Sequence, residues 1–216
     1  EYSILDEKKL FNMIRQVHYV IHFAAMADVT VCIKEQDATF ETNVRGTYNV
    51  AKICAQEYKP LIFISTCCVY GNSLDAVEVE DTTTPQAAEP YAVSKVAGEY
   101  ILRGMPHLRY CTLRIGTVYG PGMREALFTY ITLDRIRREE KIYIDGDGTQ
   151  SRQLIYIEDL VDGIVRATKK IEEMPNGSII NLCGVESTSA LDTMFVSQDV
   201  VGKKAIFEHR EQRYGQ

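Results

Sequence analysis

A chain of 216 residues and 24.5 kDa, 45% hydrophobic and 25% charged, is long enough for one domain with a full core, or for such a domain carrying a small lobe. Its formal net charge of -6 and pI near 5.3 exclude a basic surface that could hold nucleic acid or an acidic membrane by long-range attraction, so an anionic ligand has to be held by local arginines. The apolar stretches at 19–27 and 61–70 are interrupted by His22, Ser65 and Thr66 and fall short of the ~20 residues that cross a bilayer, and residues 1–9 carry no apolar leader, so no membrane contact and a cytoplasmic location are expected.

In chain order, a charged helix-like opening leads to a strand at 18–25, a helix at 37–56, a strand at 61–66 and a helix at 90–103. A strand at 109–115, helices at 125–140 and 158–172, and a strand at 178–182 follow. The strands are short apolar runs, and the helices return apolar residues three and four positions apart. Tyr119-Gly120-Pro121-Gly122 and Asp145-Gly146-Asp147-Gly148 punctuate the pattern as loops. Alternating strands and helices predict an α/β fold with a doubly wound parallel sheet. Such a fold opens with a glycine-rich turn that seats phosphate at the start of its first helix. None precedes the strand at 18–25, so the chain reads as cut at both ends, with a strand-helix-strand-helix block of roughly 50 residues expected ahead of it.

Six cysteines (Cys32, Cys54, Cys67, Cys68, Cys111 and Cys183) lack metal-ligand spacing and are expected to be reduced and mostly buried. Cys67 and Cys68, neighbours in the expected continuation of the 61–66 strand, should point to opposite faces and leave each other unbonded. His18, His22, His107 and His209 are scattered, which predicts neither a metal site nor a catalytic dyad. The acidic run 78–81 reads as a solvated loop.

The chemistry concentrates at Tyr91-x-x-x-Lys95, which follows Pro90 at the start of a helix. Residues four apart share a helix face, about 5–6 Å between Cβ atoms, so the ammonium can bias the phenol toward phenolate. A phenolate near neutral pH can take a proton from a hydroxyl. The strand at 61–66 ends in Ser65 and Thr66, at the carboxyl end where open α/β sheets bind ligands, and a hydroxyl there can bond the oxygen that the tyrosine deprotonates.

With these residues the chain resembles the extended short-chain dehydrogenase/reductase family, and in particular its nucleotide-sugar epimerases. The resemblance runs through His22-Phe23-Ala24-Ala25, Asn43-Val44-Arg45-Gly46-Thr47, Ser65-Thr66 ahead of Val69-Tyr70-Gly71, Tyr91 and Lys95, and Leu113-Arg114 leading to Val118-Tyr119-Gly120-Pro121-Gly122. It continues through 146–152, 155–159 and Arg213-Tyr214-Gly215. The resemblance implies that Tyr91 is the general base, that Lys95 binds the nicotinamide ribose and tunes the tyrosine, and that Thr66 is the assisting hydroxyl. Ala24, Ala25, Asn43, Ser65 and Ile115 would line the NAD groove with Tyr91 and Lys95. Thr66, Thr117, Arg152 and Arg213 would hold the nucleotide-diphosphate sugar, the arginines as diphosphate clamps. No metal is implied. Residues 1–116 would be a partial NAD-binding domain, and 117–216 a mixture of a substrate-binding lobe and returning sheet elements.

Three departures bear on the reaction. Family dehydratases and decarboxylases carry an acidic residue after the active hydroxyl, where this chain has Cys67 and Cys68, which argues against a 4,6-dehydratase. A related 3,5-epimerase has a cysteine at the position of Cys68. Thr117 stands where the family usually has an asparagine. The expected function is NAD-dependent epimerisation of a nucleotide sugar, a UDP-sugar being favoured, at C4 through a 4-keto intermediate, by a homodimer. The alternatives are a 3,5-epimerase or reductase of the same family, or a silent nucleotide-binding protein.

Overall fold

The structure is a computed structural model that describes residues 3–71 and 85–211. The opening helix α1 (Glu7–Ile14) is capped by Asp6, whose carboxylate accepts from the Lys9 amide at 3.1 Å. Strand β1 (Val20–His22) is shorter than the expected 18–25 run. After it come α2 (Val29–Lys34), capped by Asp28, and α3 (Gln36–Phe40). The single helix expected at 37–56 is instead α3, a π-helical turn at Glu41–Arg45 and α4 (Gly46–Gln56). A π-turn inserts a residue into the helical ladder, which periodicity does not reveal.

Strand β2 (Leu61–Thr66) is buried at every position, as expected for a strand covered on both faces. It ends where the Thr66 hydroxyl accepts from the Cys68 amide at 3.2 Å and starts a 3-10 turn at Cys67–Tyr70. The expectation that Cys67 and Cys68 continue the strand is thereby corrected: the local side-chain bond outcompetes the ladder. Cys32, Cys54 and Cys111 are buried, Cys67 and Cys183 partly so, and Cys68 is exposed; all six are unbridged.

Next come α5 (Pro90–Arg103), β3 (Tyr110–Ile115), β4 (Thr117–Tyr119), α6 (Phe128–Arg138), β5 (Lys141–Asp145) and β6 (Ser151–Tyr156). The described chain finishes with α7 (Ile157–Lys170), β7 (Ser178–Leu182), β8 (Ser187–Ser189), α8 (Ala190–Val201) and β9 (Ile206–Arg210). No helix among the described residues is long and apolar enough to cross a membrane.

Two compact units result. The first joins the residues up to Ile115 with Val161–Leu182, and its sheet runs β1-β2-β3-β7, all parallel. In register, Phe63 lies beside His22 and Thr112, and Arg114 lies between Ser65 and Asn181, so these side chains share one face of the sheet. Helices α1, α4 and α5 cover that face through Ile14, Val50, Ile53, Leu61, Phe63 and Leu102. Leu182 belongs to the opposite face and packs on α7 at Gly163. Helices therefore lie on both faces, giving the doubly wound α/β fold.

The second unit joins Gly116–Leu160 with the residues from Cys183 onward. Its sheet β4-β6-β8 is mixed, and β5 pairs with β9. Ile136, Ile142, Ile144 and Met194 form its core, and a buried Thr132–Ser197 hydrogen bond of 3.0 Å links α6 to α8.

Helix α5 packs tightly on β2 at Gly98, where an added Cβ would lie 2.7 Å from Cζ of the fully buried Phe63. Gly98→Ala is expected to destabilise the fold by about 1–2 kcal/mol, since overpacking outweighs the ~1 kcal/mol gained in helix propensity. A denaturant midpoint at or above that of the parent would show that α5 can lift without cost.

Candidate active site

The ends of two elements build the site: the carboxyl end of β2 and the amino end of α5. Pro90 occupies the first turn of α5, and Glu89 caps it by accepting from the amides of Tyr91 at 2.8 Å and Ala92 at 2.7 Å. The cap fixes the backbone of Tyr91 where the helix begins. One turn on, Lys95 is 4% exposed, and its ammonium donates to the Ile64 carbonyl at 2.9 Å. It also lies 5.1 Å from the Phe63 ring centre and 6.0 Å from that of Tyr91.

The Tyr91 phenol lies near enough to the Thr66 hydroxyl for that hydroxyl to favour its ionised form. The electrostatics differ from the sequence expectation. Burial pushes the Tyr91 phenol well above its ordinary value of 10, Cys68 and Glu89 push the same way, and only the Thr66 hydroxyl draws it down. Lys95 is itself affected by burial, which lowers it to about 8 against the opposing pull of Glu99. His22, 4% exposed and bonded through Nε2 to Thr47 Oγ1 at 2.9 Å, is held down at about 3 by burial and then by Lys95. It is a neutral core side chain.

The residues expected around the cofactor divide by what their side chains do. Ala24 is exposed and Ala25 half-buried just beyond β1, leaving a ledge of small side chains at the carboxyl edge of the sheet. Asn43, in the π-turn, accepts from the Met26 amide at 2.8 Å and donates to the Met26 carbonyl and Ser94 Oγ, both at 2.9 Å. Ser94 in turn donates to the Tyr91 carbonyl at 2.7 Å, so Asn43 ties the loop after β1 to the first turn of α5. Ser65 is fully buried and donates to Glu99 at 2.6 Å. Ile115 ends β3 beside Thr66.

Thr117 and Arg152 belong to the second unit, where they line one cavity of about 150 Å3 with Phe128, Tyr143, Gln150 and Thr188. Arg152 is exposed and donates to the Ser151 carbonyl at 2.8 Å. Arg213 and the acidic run 78–81 lie outside the described residues. No cluster that could hold a metal ion occurs among the described residues. Sequence reasoning missed Glu89 as the cap, and it missed Glu99, although a carboxylate four residues after Lys95 on an otherwise apolar face is a readable signal.

A family profile described as the NAD dependent epimerase/dehydratase family matches residues 1–183. The chain belongs to that family. Among relatives within or near the NAD-dependent epimerase/dehydratase family, UDP-N-acetyl-alpha-D-glucosaminuronate decarboxylase of Bacillus cytotoxicus is 29% identical, the match covering 92% of this chain and 63% of the relative. UDP-glucuronate 4-epimerase of Thermodesulfobacterium geofontis is also 29% identical, over 88% of this chain and 59% of the relative. The chain thus spans less than two thirds of the length of both. In structure it is similar to UDP-glucuronic acid 4-epimerase from Bacillus cereus, solved in complex with UDP-glucuronic acid and NAD, at a TM-score of 0.90 and 28% identity, covering 100% of this chain and 69% of that one. A UDP-glucose 4-epimerase from Thermus thermophilus, solved with NAD, aligns at 0.87 and 25%, over 100% and 72%.

The depressed value of Lys95 has a stability consequence. Its folded value lies below the unfolded 10.5, so the stability tied to losing its proton is fully present above 10.5 and is lost as pH falls through about 8. At pH 7 the chain carries the full cost of a buried ammonium. Lys95→Met should therefore melt about 2–4 °C above the parent at pH 7, the scale of ~1 kcal/mol net for this size, with the gap closing as pH rises toward 10. A variant that melts lower at pH 7 would mean that the Ile64 bond and Phe63 contact outweigh desolvation.

Proposed function

We propose that the chain carries the chemical centre of an NAD-dependent nucleotide-sugar 4-epimerase, with Tyr91 as general base, Thr66 as the second hydroxyl on the same oxygen and Lys95 as the charge that assists them. The observation that carries the reading is the meeting of the Tyr91 phenol with the Thr66 hydroxyl one turn from a buried ammonium. The residues suit NAD: the Ala24–Ala25 ledge leaves room at the carboxyl edge of the sheet, and Lys95 gives one of its three donors to Ile64. When bound, NAD would take the C4 hydride and return it to the other face of the sugar.

Tyr91 takes the C4 hydroxyl proton, and Thr66 holds the resulting oxygen by hydrogen bond. Burial opposes the phenolate most strongly, so the base becomes competent only when a positive charge joins it, and Lys95 supplies one. Asn43 acts through its hold on Met26 and Ser94, keeping the loop after β1 and the start of α5 together.

A UDP-sugar is the substrate class most in keeping with the relatives' names and with the second unit. There Arg152 offers a fork for the diphosphate, and Phe128 offers an aromatic face to the base. Arg213 would be the second clamp. Decarboxylation is the rival suggested by one relative, and Cys67 and Cys68, where family decarboxylases carry an acidic residue, weigh against it. A homodimer fits the partly exposed aromatic side chains Phe40, Tyr48 and Tyr100 on the outer helices of the first unit, and a reducing cytoplasm fits six unbridged cysteines.

Tyr91→Phe should lower turnover at least ~100-fold while largely keeping nucleotide-sugar affinity, and a loss of only a few-fold would remove Tyr91 as the base. Product formed in deuterated water should carry no deuterium on carbon, because a C4 hydride path exchanges nothing with solvent. Cys68→Ser should keep turnover within about ten-fold of the parent. Deuterium at C5 together with an inactive Cys68→Ser would transfer the chemistry to the exposed thiol and to a 3,5-epimerase.

A further inference from the structure

Beneath the site, on the covered face of the first unit's sheet, lies a charged cluster that the proposed reaction does not use. Glu99 and Arg114 are 9% and 2% exposed and pair bidentately, with Nε to Oε1 at 3.1 Å and Nη2 to Oε2 at 2.7 Å. Ser65 donates to Oε1 at 2.6 Å, Arg114 Nη1 donates to the Tyr70 hydroxyl at 2.8 Å, and that hydroxyl donates to Asn181 at 2.7 Å. The cluster gathers β2, the 3-10 turn, α5, β3 and β7.

As a strut alone it has a weak rationale, because apolar side chains of similar volume often do as well as a buried ion pair. What an apolar strut cannot supply is charge. Glu99 lies four residues after Lys95 on α5, so the two side chains leave the same helix face, about 5–6 Å apart at Cβ. With Lys95, Glu99 and Arg114 all buried, this region holds two cations and one anion.

We propose that Glu99 is a positioning residue of the site: clamped by Arg114 and Ser65 one turn beyond Lys95, it supplies the buried negative charge that keeps the Lys95 ammonium protonated for its work beside Tyr91. The last clause rests on the epimerase reading; the charge relation does not. Among the described residues, the surroundings of Lys95 leave Glu99 as its one anion. On α5 it meets Tyr91, neutral at ordinary pH because burial raises it, and Glu99; from β1 it meets His22, uncharged above about 3. From β2 it meets the Phe63 ring and the Ile64 carbonyl, and Arg114 on β3 stands behind Glu99 and opposes it. The attraction of Glu99 works against burial in the direction the proposal requires.

The test is a 13C NMR titration of the Lys95 Cε signal, assigned by its loss in Lys95→Met and measured on the intact protein without substrate, alongside turnover against pH. Glu99→Gln should lower the Lys95 midpoint by about one pH unit or more, the scale set by an opposite charge at this range, and lower turnover with it. Glu99→Asp, which keeps the charge, should restore most of both. If Glu99→Gln fails to fold because Arg114 is left unpaired, the Glu99→Gln/Arg114→Gln double variant, with both charges removed, should still show a lowered midpoint. An unchanged midpoint in either folded variant overturns the proposal and leaves the pair as a strut. A lowered midpoint with turnover intact upholds the charge relation and instead overturns the catalytic role given to Lys95.

Discussion

Because Gly98 has no side chain, α5 comes down onto the ring of Phe63, and the burial of Lys95 and Glu99 follows from that contact. Lys95 and Glu99 lie within one turn on either side of Gly98, so the approach that seats the helix also drives both charges into the sheet. Neither can be solvated there, and each has to find its partner in the protein. Lys95 takes a backbone carbonyl and an aromatic face; Glu99 takes Arg114 and Ser65.

Burial then governs the chemistry more strongly than spacing does. Tyr91 and Lys95 have the helical separation that lets an ammonium favour a phenolate, yet desolvation raises the phenol and lowers the ammonium. Both shifts work against the phenolate and the ammonium, and a bound positive charge or a retained anion has to offset them. Arg114 shows the opposite balance: burial works against its charge, but its bonds to Glu99 and Tyr70 outweigh that and raise it. Whether a buried charge survives here depends on bidentate geometry rather than on proximity alone.

Much of this was legible in the sequence where local and tertiary preferences agree. β2 and β3 are apolar runs because a parallel sheet covered on both faces needs them, and α5 announces itself through Pro90, its apolar spacing and Tyr91-x-x-x-Lys95. Legibility failed where one hydrogen bond decided the path of the chain. The Thr66 hydroxyl turned the expected strand at Cys67 into a 3-10 turn, and the π-turn at Asn43 left no periodic trace because its purpose is a contact with Met26 and Ser94. The second unit was read least well: β4, β6 and β8 are short pieces paired across a long sequence separation, and no local pattern reports such pairing.

The interleaving of the two units bears on how the chain is made. β3 pairs with β7, but the residues from Gly116 to Leu160 belong to the other unit, which in turn waits for the residues from Cys183 onward. On a ribosome, β3 emerges with one edge open and Arg114 without the Asn181 that finishes its hydrogen-bonded chain, and both must wait for the segment 161–182. An open parallel edge of this kind pairs readily with the wrong strand, and long-range pairing is slow to form. The same threading means that severing the chain near residue 116 would leave the first piece without β7 and the helix α7 that packs on it, and the second piece carrying that strand and helix without the sheet they complete, so the two units have to be inherited, expressed and degraded as one.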